Sequence, residues 1–109
     1  MSTKQSITTF ILEQIEDAGI VTSRKMFGEF CIYCNGKVVA LVCDDQLFVK
    51  PTSEGEAFVK KVEKAPPYPG AKPHLLIDAD RWENREWLTE LISITAASLP
   101  APKARKKKP

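Results

Sequence analysis

The sequence predicts an α+β fold, an antiparallel sheet with flanking helices in the order α-β-β-β-β-α-β-α. Three observations carry this. Apolar residues recur with helical spacing near both ends of the chain, and Asn35-Gly36 divides two strand-like runs. A proline-rich stretch then separates the first six elements from a last strand and helix.

The first helix runs from about Ser6 to Ala18, with Ile7, Phe10, Ile11 and Ile15 on its apolar stripe and Gly19 free to end it in a left-handed conformation. Val21 to Met26 reads as the first strand. Phe27-Gly28 follows as a bend or bulge, where the missing side chain permits unusual backbone angles. Phe30 to Cys34 and Lys37 to Cys43 form a hairpin, because Asn-Gly best tolerates the positive φ angles of a two-residue type I′ turn. In a regular ladder Ile32 then faces Val39 and Phe30 faces Leu41. That places Phe30, Ile32, Cys34, Val39, Leu41 and Cys43 on one face, with Cys31, Tyr33, Val38, Ala40 and Val42 on the other.

Asp44-Asp45 turns the chain into a fourth strand, Gln46 to Lys50, closed by Pro51. A two-residue turn puts Phe48 on the first face; a three-residue turn inverts it. Ser53-Glu54-Gly55-Glu56 matches a capping box at the start of a helix reaching about Glu63, with Phe58, Val59 and Val62 buried. Pro66 to Pro73 holds four prolines and a glycine and serves as a connector. Leu75-Leu76-Ile77 is a short strand. A helix capped at Asp80 or Asn84 then carries Trp87, Leu88, Leu91, Ile92 and Thr95 to about Ser98.

The 109 residues, 43% hydrophobic, suffice for one modest core, spanning residues 1–99. Residues 100–109 are proline, alanine, lysine and arginine and are expected to form a disordered basic tail. The net charge of +2 depends on that tail: removing the five charges of Lys103, Arg105, Lys106, Lys107 and Lys108 leaves −3 for residues 1–102. Charged residues interrupt the first twenty positions, so neither an export signal nor a membrane span is expected, and the chain is read as cytoplasmic.

With these elements placed, a family pattern emerges. An N-terminal amphipathic helix leads to Arg24-Lys25-Met26-Phe27-Gly28, then to a hairpin of the form Phe30-x-Ile32-x-Cys34-Asn35-Gly36-Lys37, then to Ala40-Leu41. Over roughly Ser6 to Leu99 this resembles the TfoX N-terminal domain family. The resemblance implies a secretion-chaperone-like arrangement of the elements above. Members fused to a second, C-terminal domain regulate natural competence together with the cyclic-AMP receptor protein. A lysine-rich tail stands in place of that domain here, so what the resemblance implies is the module's interaction role, with no catalytic residue.

The residues themselves offer little chemistry. Cys31 and Cys34 have the spacing of a metal or redox pair, but positions three apart on a strand point to opposite faces. In the regular ladder Cys34 and Cys43 share a face yet lie about 20 Å apart. All three cysteines are expected to be reduced and to pack as small hydrophobes. His74, the single histidine, sits at a strand start; Asp78 and Asp80 suit a strand end and a helix cap. No catalytic residue, metal or cofactor is therefore assigned.

Two interaction elements remain: Arg24, Lys25, Met26, Phe27 and Gly28 in the domain, and the tail cations, which suit nonspecific contact with nucleic-acid phosphates. The expected function is a non-catalytic interaction module, an accessory protein of transcription or competence regulation with unidentified protein partners and no membrane contact. One alternative is a small-molecule-binding or enzymatic domain with a pocket lined by Tyr33, Tyr68 and His74. Another is a dimeric chaperone-like scaffold, since the apolar second sheet face calls for a covering layer or a homodimer partner.

Overall fold

A computed structural model describes residues 4–26 and 29–99. Its elements are α1 (Gln5–Gln14), a 3₁₀ turn (Glu16–Ala18), β1 (Val21–Met26), β2 (Glu29–Cys34), β3 (Lys37–Cys43) and β4 (Gln46–Val49). They continue with α2 (Ser53–Val59), β5 (Glu63–Ala65), β6 (His74–Ile77), α3 (Ala79–Trp82) and α4 (Arg85–Ser98). All strands pair antiparallel in one six-stranded sheet, in the order β1-β2-β3-β4-β6-β5. The fold is thus the expected α+β type, with one strand and one short helix added.

Asn35 and Gly36 adopt φ of 55° and 83°, the double left-handed step of a type I′ turn. Asn35 also ties this turn to the chain entering β1: its Oδ1 accepts from Ile20 N at 2.9 Å and its own N donates to Ile20 O at 2.8 Å. Gly19 lets these segments meet. It takes φ 156° and ψ −153° rather than the left-handed helical conformation, and a Cβ there would lie 2.8 Å from Asn35 Oδ1 and 3.0 Å from Cys34 Sγ.

The hairpin ladder is not regular. Tyr33 faces Val38 but Ile32 faces Ala40, so Val39 is an extra residue on β3, a bulge. Phe30 therefore faces Val42, and Cys31 faces Leu41. The expected assignment of faces fails beyond this point: Ala40 and Val42 turn inward with Phe30 and Ile32, while Leu41 and Cys43 turn outward with Cys31. The two-residue Asp44-Asp45 turn, with φ of 53° and 59°, then pairs Phe48 with Leu41 on that outer face.

All the helices that pack on the sheet lie against its inner face. The core joins Ile11 and Ile15 of the N-terminal segment, Ile32, Val39, Val42, Leu47, Val49, Leu75 and Ile77 of the sheet, and Leu88, Leu91 and Ile92 of α4. Each large aliphatic side chain withdrawn from water contributes about 1.5–3 kcal/mol. Phe10, expected on the apolar stripe, is instead 39% exposed, because Thr8 and Ile11 occupy the buried side of α1.

The α2 cap sits one residue earlier than the sequence pattern indicates. Thr52, not Ser53, accepts from Gly55 N at 2.9 Å, and the helix ends at Val59 with Lys60 at φ 71° rather than running to Glu63. The released residues 63–65 add β5 to the sheet edge beside β6. Asn84 caps α4 through Trp87 N at 3.1 Å. At the other end of α4 the Lys37 ammonium donates to Ala96 O at 2.7 Å and Leu99 O at 3.0 Å, a cation on the helix's negative end. Trp82 Nε1 donates to Ile77 O at 2.9 Å, fixing α3 to the end of β6.

Candidate interaction surface

β1 occupies an edge of the sheet, paired with β2 on one side only among the described residues. Its register sets Arg24 against Cys31, Lys25 against Phe30 and Met26 against Glu29. Alternation sends Thr22, Arg24 and Met26 to the outer face and Ser23 and Lys25 to the inner one. Every residue from Thr22 to Met26 is exposed, so the helical layer stops short of this strand. Of the five motif residues, Arg24, Lys25 and Met26 are thus brought together on an open edge, while Phe27 and Gly28 lie outside the described residues. The tail residues Lys103, Arg105, Lys106, Lys107 and Lys108 also lie outside them, as does the whole predicted disordered segment 100–109.

Met26 borders a mostly apolar cavity of about 460 Å³ lined also by Glu29, Phe30, Leu41, Cys43 and Tyr68. The proline connector contributes Tyr68 here. With Pro66, Pro67 and Pro69 it also borders a neighbouring cleft over Gln46 and Phe48, so a loop of the same chain lies over part of the outer face. Tyr33 belongs to a different, polar cleft with Thr22, Ser23, Arg24 and Gly36. Tyr33 and Tyr68 therefore do not meet in one pocket, contrary to the expected grouping with His74.

All three cysteines are buried and none is disulfide-bonded. Because of the bulge, Cys43 shares the outer face with Cys31 rather than with Cys34. Burial pushes the Cys43 thiol up to about 11, reinforced by Glu29, Cys31 and Asp44. Burial also raises Cys31, against the hydrogen bond from Tyr33 and the charges of Lys50 and Arg24, and it raises Cys34 against Lys37. The shared hydrogen bond with Cys31 is what raises the Tyr33 phenol. Thiols held in this form are poor nucleophiles at neutral pH.

His74 is buried, and its Nδ1 lies 2.8 Å from Lys72 O. A carbonyl only accepts, so Nδ1 carries the proton. Asp78 precedes α3 and meets Arg81 Nε at 3.3 Å, but it forms no side-chain cap. Arg81 also lies 5.2 Å from the centre of the Trp87 ring, which stacks on Phe58 at 5.7 Å. Among the described residues no three His, Cys, Asp or Glu side chains converge on a point that would hold a metal ion, and no helix is long and apolar enough to cross a membrane.

A single antiparallel sheet with its helices on one face defines the class: a small α+β domain. The chain belongs to the TfoX N-terminal domain family, whose model matches residues 13–98. It is also 40% identical over 108 residues, 99% of this chain and 93% of the relative, to an uncharacterized 12.7 kDa protein in the trpE 5′ region of Spirochaeta aurantia. Sequence reasoning placed Arg24, Lys25 and Met26 at the end of the first strand, where the structure has them. It missed the connector's place beside Met26, for which the order of residues carries no signal.

Proposed function

We propose that this protein is a non-catalytic interaction module, an accessory factor of transcription or competence regulation whose folded domain contacts proteins and whose tail adds loose attachment to nucleic acid. Membership of the TfoX N-terminal domain family carries this reading. The charge distribution supports its second half. With five cations confined to the last seven residues and −3 on the rest, phosphate attraction is concentrated in the tail. Such contact gives affinity without choice of sequence, because the tail has no aromatic side chain to stack on bases.

The test compares the full chain with one ending at Pro102 in a fluorescence-anisotropy titration against a mixed-sequence DNA duplex. At low salt the shortened chain is expected to bind at least tenfold more weakly. The full chain should lose affinity steeply with salt, by a logarithmic slope approaching about −0.9 for each phosphate neutralised. Equal binding by the two chains removes nucleic acid from the reading. Pull-downs from the native cell with both chains separate domain contacts, which persist, from tail contacts, which vanish.

A further inference from the structure

The edge strand holds more than a motif. Among the described residues four large apolar side chains are exposed, and two of them, Ile20 (75%) and Met26 (40%), flank the ends of β1. A third, Tyr68 (57%), stands across the cavity from Met26. Between the flanks lie Arg24 and Lys25, one on each face, and neither forms a salt bridge with a described residue. The edge thus reads apolar, cationic, apolar, alongside a row of backbone groups with no strand of the described residues against them.

An open strand edge is a template for another strand, and proteins protect such edges with charge. Here the charge also selects the occupant. Antiparallel pairing of β1 with its copy in another molecule sets like charges directly opposite in each register that aligns Arg24 with Arg24, Arg24 with Lys25, or Lys25 with Lys25, which is destabilising. An acidic strand meets the opposite situation.

We propose that the free edge of β1 receives an extended segment of a partner protein by strand addition. The segment presents acidic residues to Arg24 and Lys25 and an apolar residue to the cavity beside Met26, Leu41, Cys43 and Tyr68. Main-chain hydrogen bonds supply affinity, and the charge pair and cavity supply specificity. This deepens the interaction-module reading and rests on it.

The test uses the full chain and two synthetic peptides with leucine at each end and threonine and valine between. One carries two central glutamates, the other two central lysines. Calorimetry is expected to show the glutamate peptide binding at least tenfold tighter than the lysine peptide, with amide exchange slowed in Thr22 to Lys25. The doubly reversed variant R24E/K25E, altered only at exposed positions, is expected to invert that preference, a gain that unfolding cannot mimic. Equal affinity for the two peptides, absence of binding to both, or an unchanged preference in the variant overturns the proposal. So does a concentration-dependent dimer in light scattering that R24E/K25E disrupts or strengthens. A cellular partner captured equally by the native chain and the variant also overturns the edge while leaving the interaction module intact. Inverted peptide preference with no partner captured by either chain has the opposite meaning: the edge stands and the interaction reading fails.

Discussion

At the scale of single residues, two groups set measurable limits on stability. The Thr8 hydroxyl is fully buried in α1 and finds no hydrogen-bond partner among the described residues. A buried polar group without a partner costs about 1–3 kcal/mol, so Thr8→Val, which keeps the shape and removes the hydroxyl, is expected to stabilise the domain by about 1 kcal/mol. A rise in the urea midpoint with an unchanged slope checks this. Cys43 acts on stability through pH. Its thiol is raised to about 11 in the folded chain, against an ordinary value of about 8.5 in the unfolded one. The stability tied to the protonated thiol is therefore complete below about pH 8.5 and lost as pH rises towards about 11. Denaturation midpoints at pH 8 and pH 10.5 should show this loss, and Cys43→Ala should reduce it, the raised thiols of Cys31 and Cys34 supplying the remainder. The cysteine spacing already made joint ligation by Cys31 and Cys34 geometrically poor. Which of them Cys43 would join was not legible, since it hinges on one bulged residue.

At the scale of elements, local signals and long-range ones divide cleanly. The Asn35-Gly36 reversal, the proline connector and the Asn84 cap depend on residues a few positions apart, and the sequence expresses each of them. The Val39 bulge does not announce itself, because Val38, Val39 and Ala40 are all acceptable on either face of a strand. Likewise β5 forms only because β6 returns beside Glu63 to Ala65, a pairing between segments separated by the whole connector. The apolar stripe of α1 misplaced Phe10 because helical spacing fixes a stripe but not its edges. The Lys37 contact with the end of α4 joins residues 59 and 62 positions apart and was equally hidden. Replacing Lys37 with Met, which keeps the stem and removes the ammonium, is expected to cost about 1–2 kcal/mol through loss of the charge-assisted bonds to Ala96 and Leu99. Urea unfolding followed by the fluorescence of Trp82 and Trp87 measures it. Amide exchange should accelerate in the last turn of α4 before it does in the first.

At the scale of the whole molecule, the bulge decides which residues the helices cover and which remain on the outer face. The sequence identified two apolar sheet faces and required something to cover the second. Part of that cover is the proline connector, a segment whose composition excludes regular structure but not packing. Every described core residue lies before residue 100, so shortening the chain to Pro102 is expected to leave the thermal midpoint unchanged while altering DNA attachment, and a paired melting and anisotropy measurement separates the two. The described residues begin at Lys4, whose backbone N donates to Asp45 Oδ1 at 2.9 Å in the β3–β4 turn. They end at Leu99, held by Lys37 at the first residue of β3. Lys4 and Leu99 thus lie at opposite ends of a seven-residue strand, separated by about 20 Å at about 3.3 Å per residue. In a genetic fusion the domain would hold the segments attached at Lys4 and Leu99 apart, and a circular permutant would need a link that spans this distance.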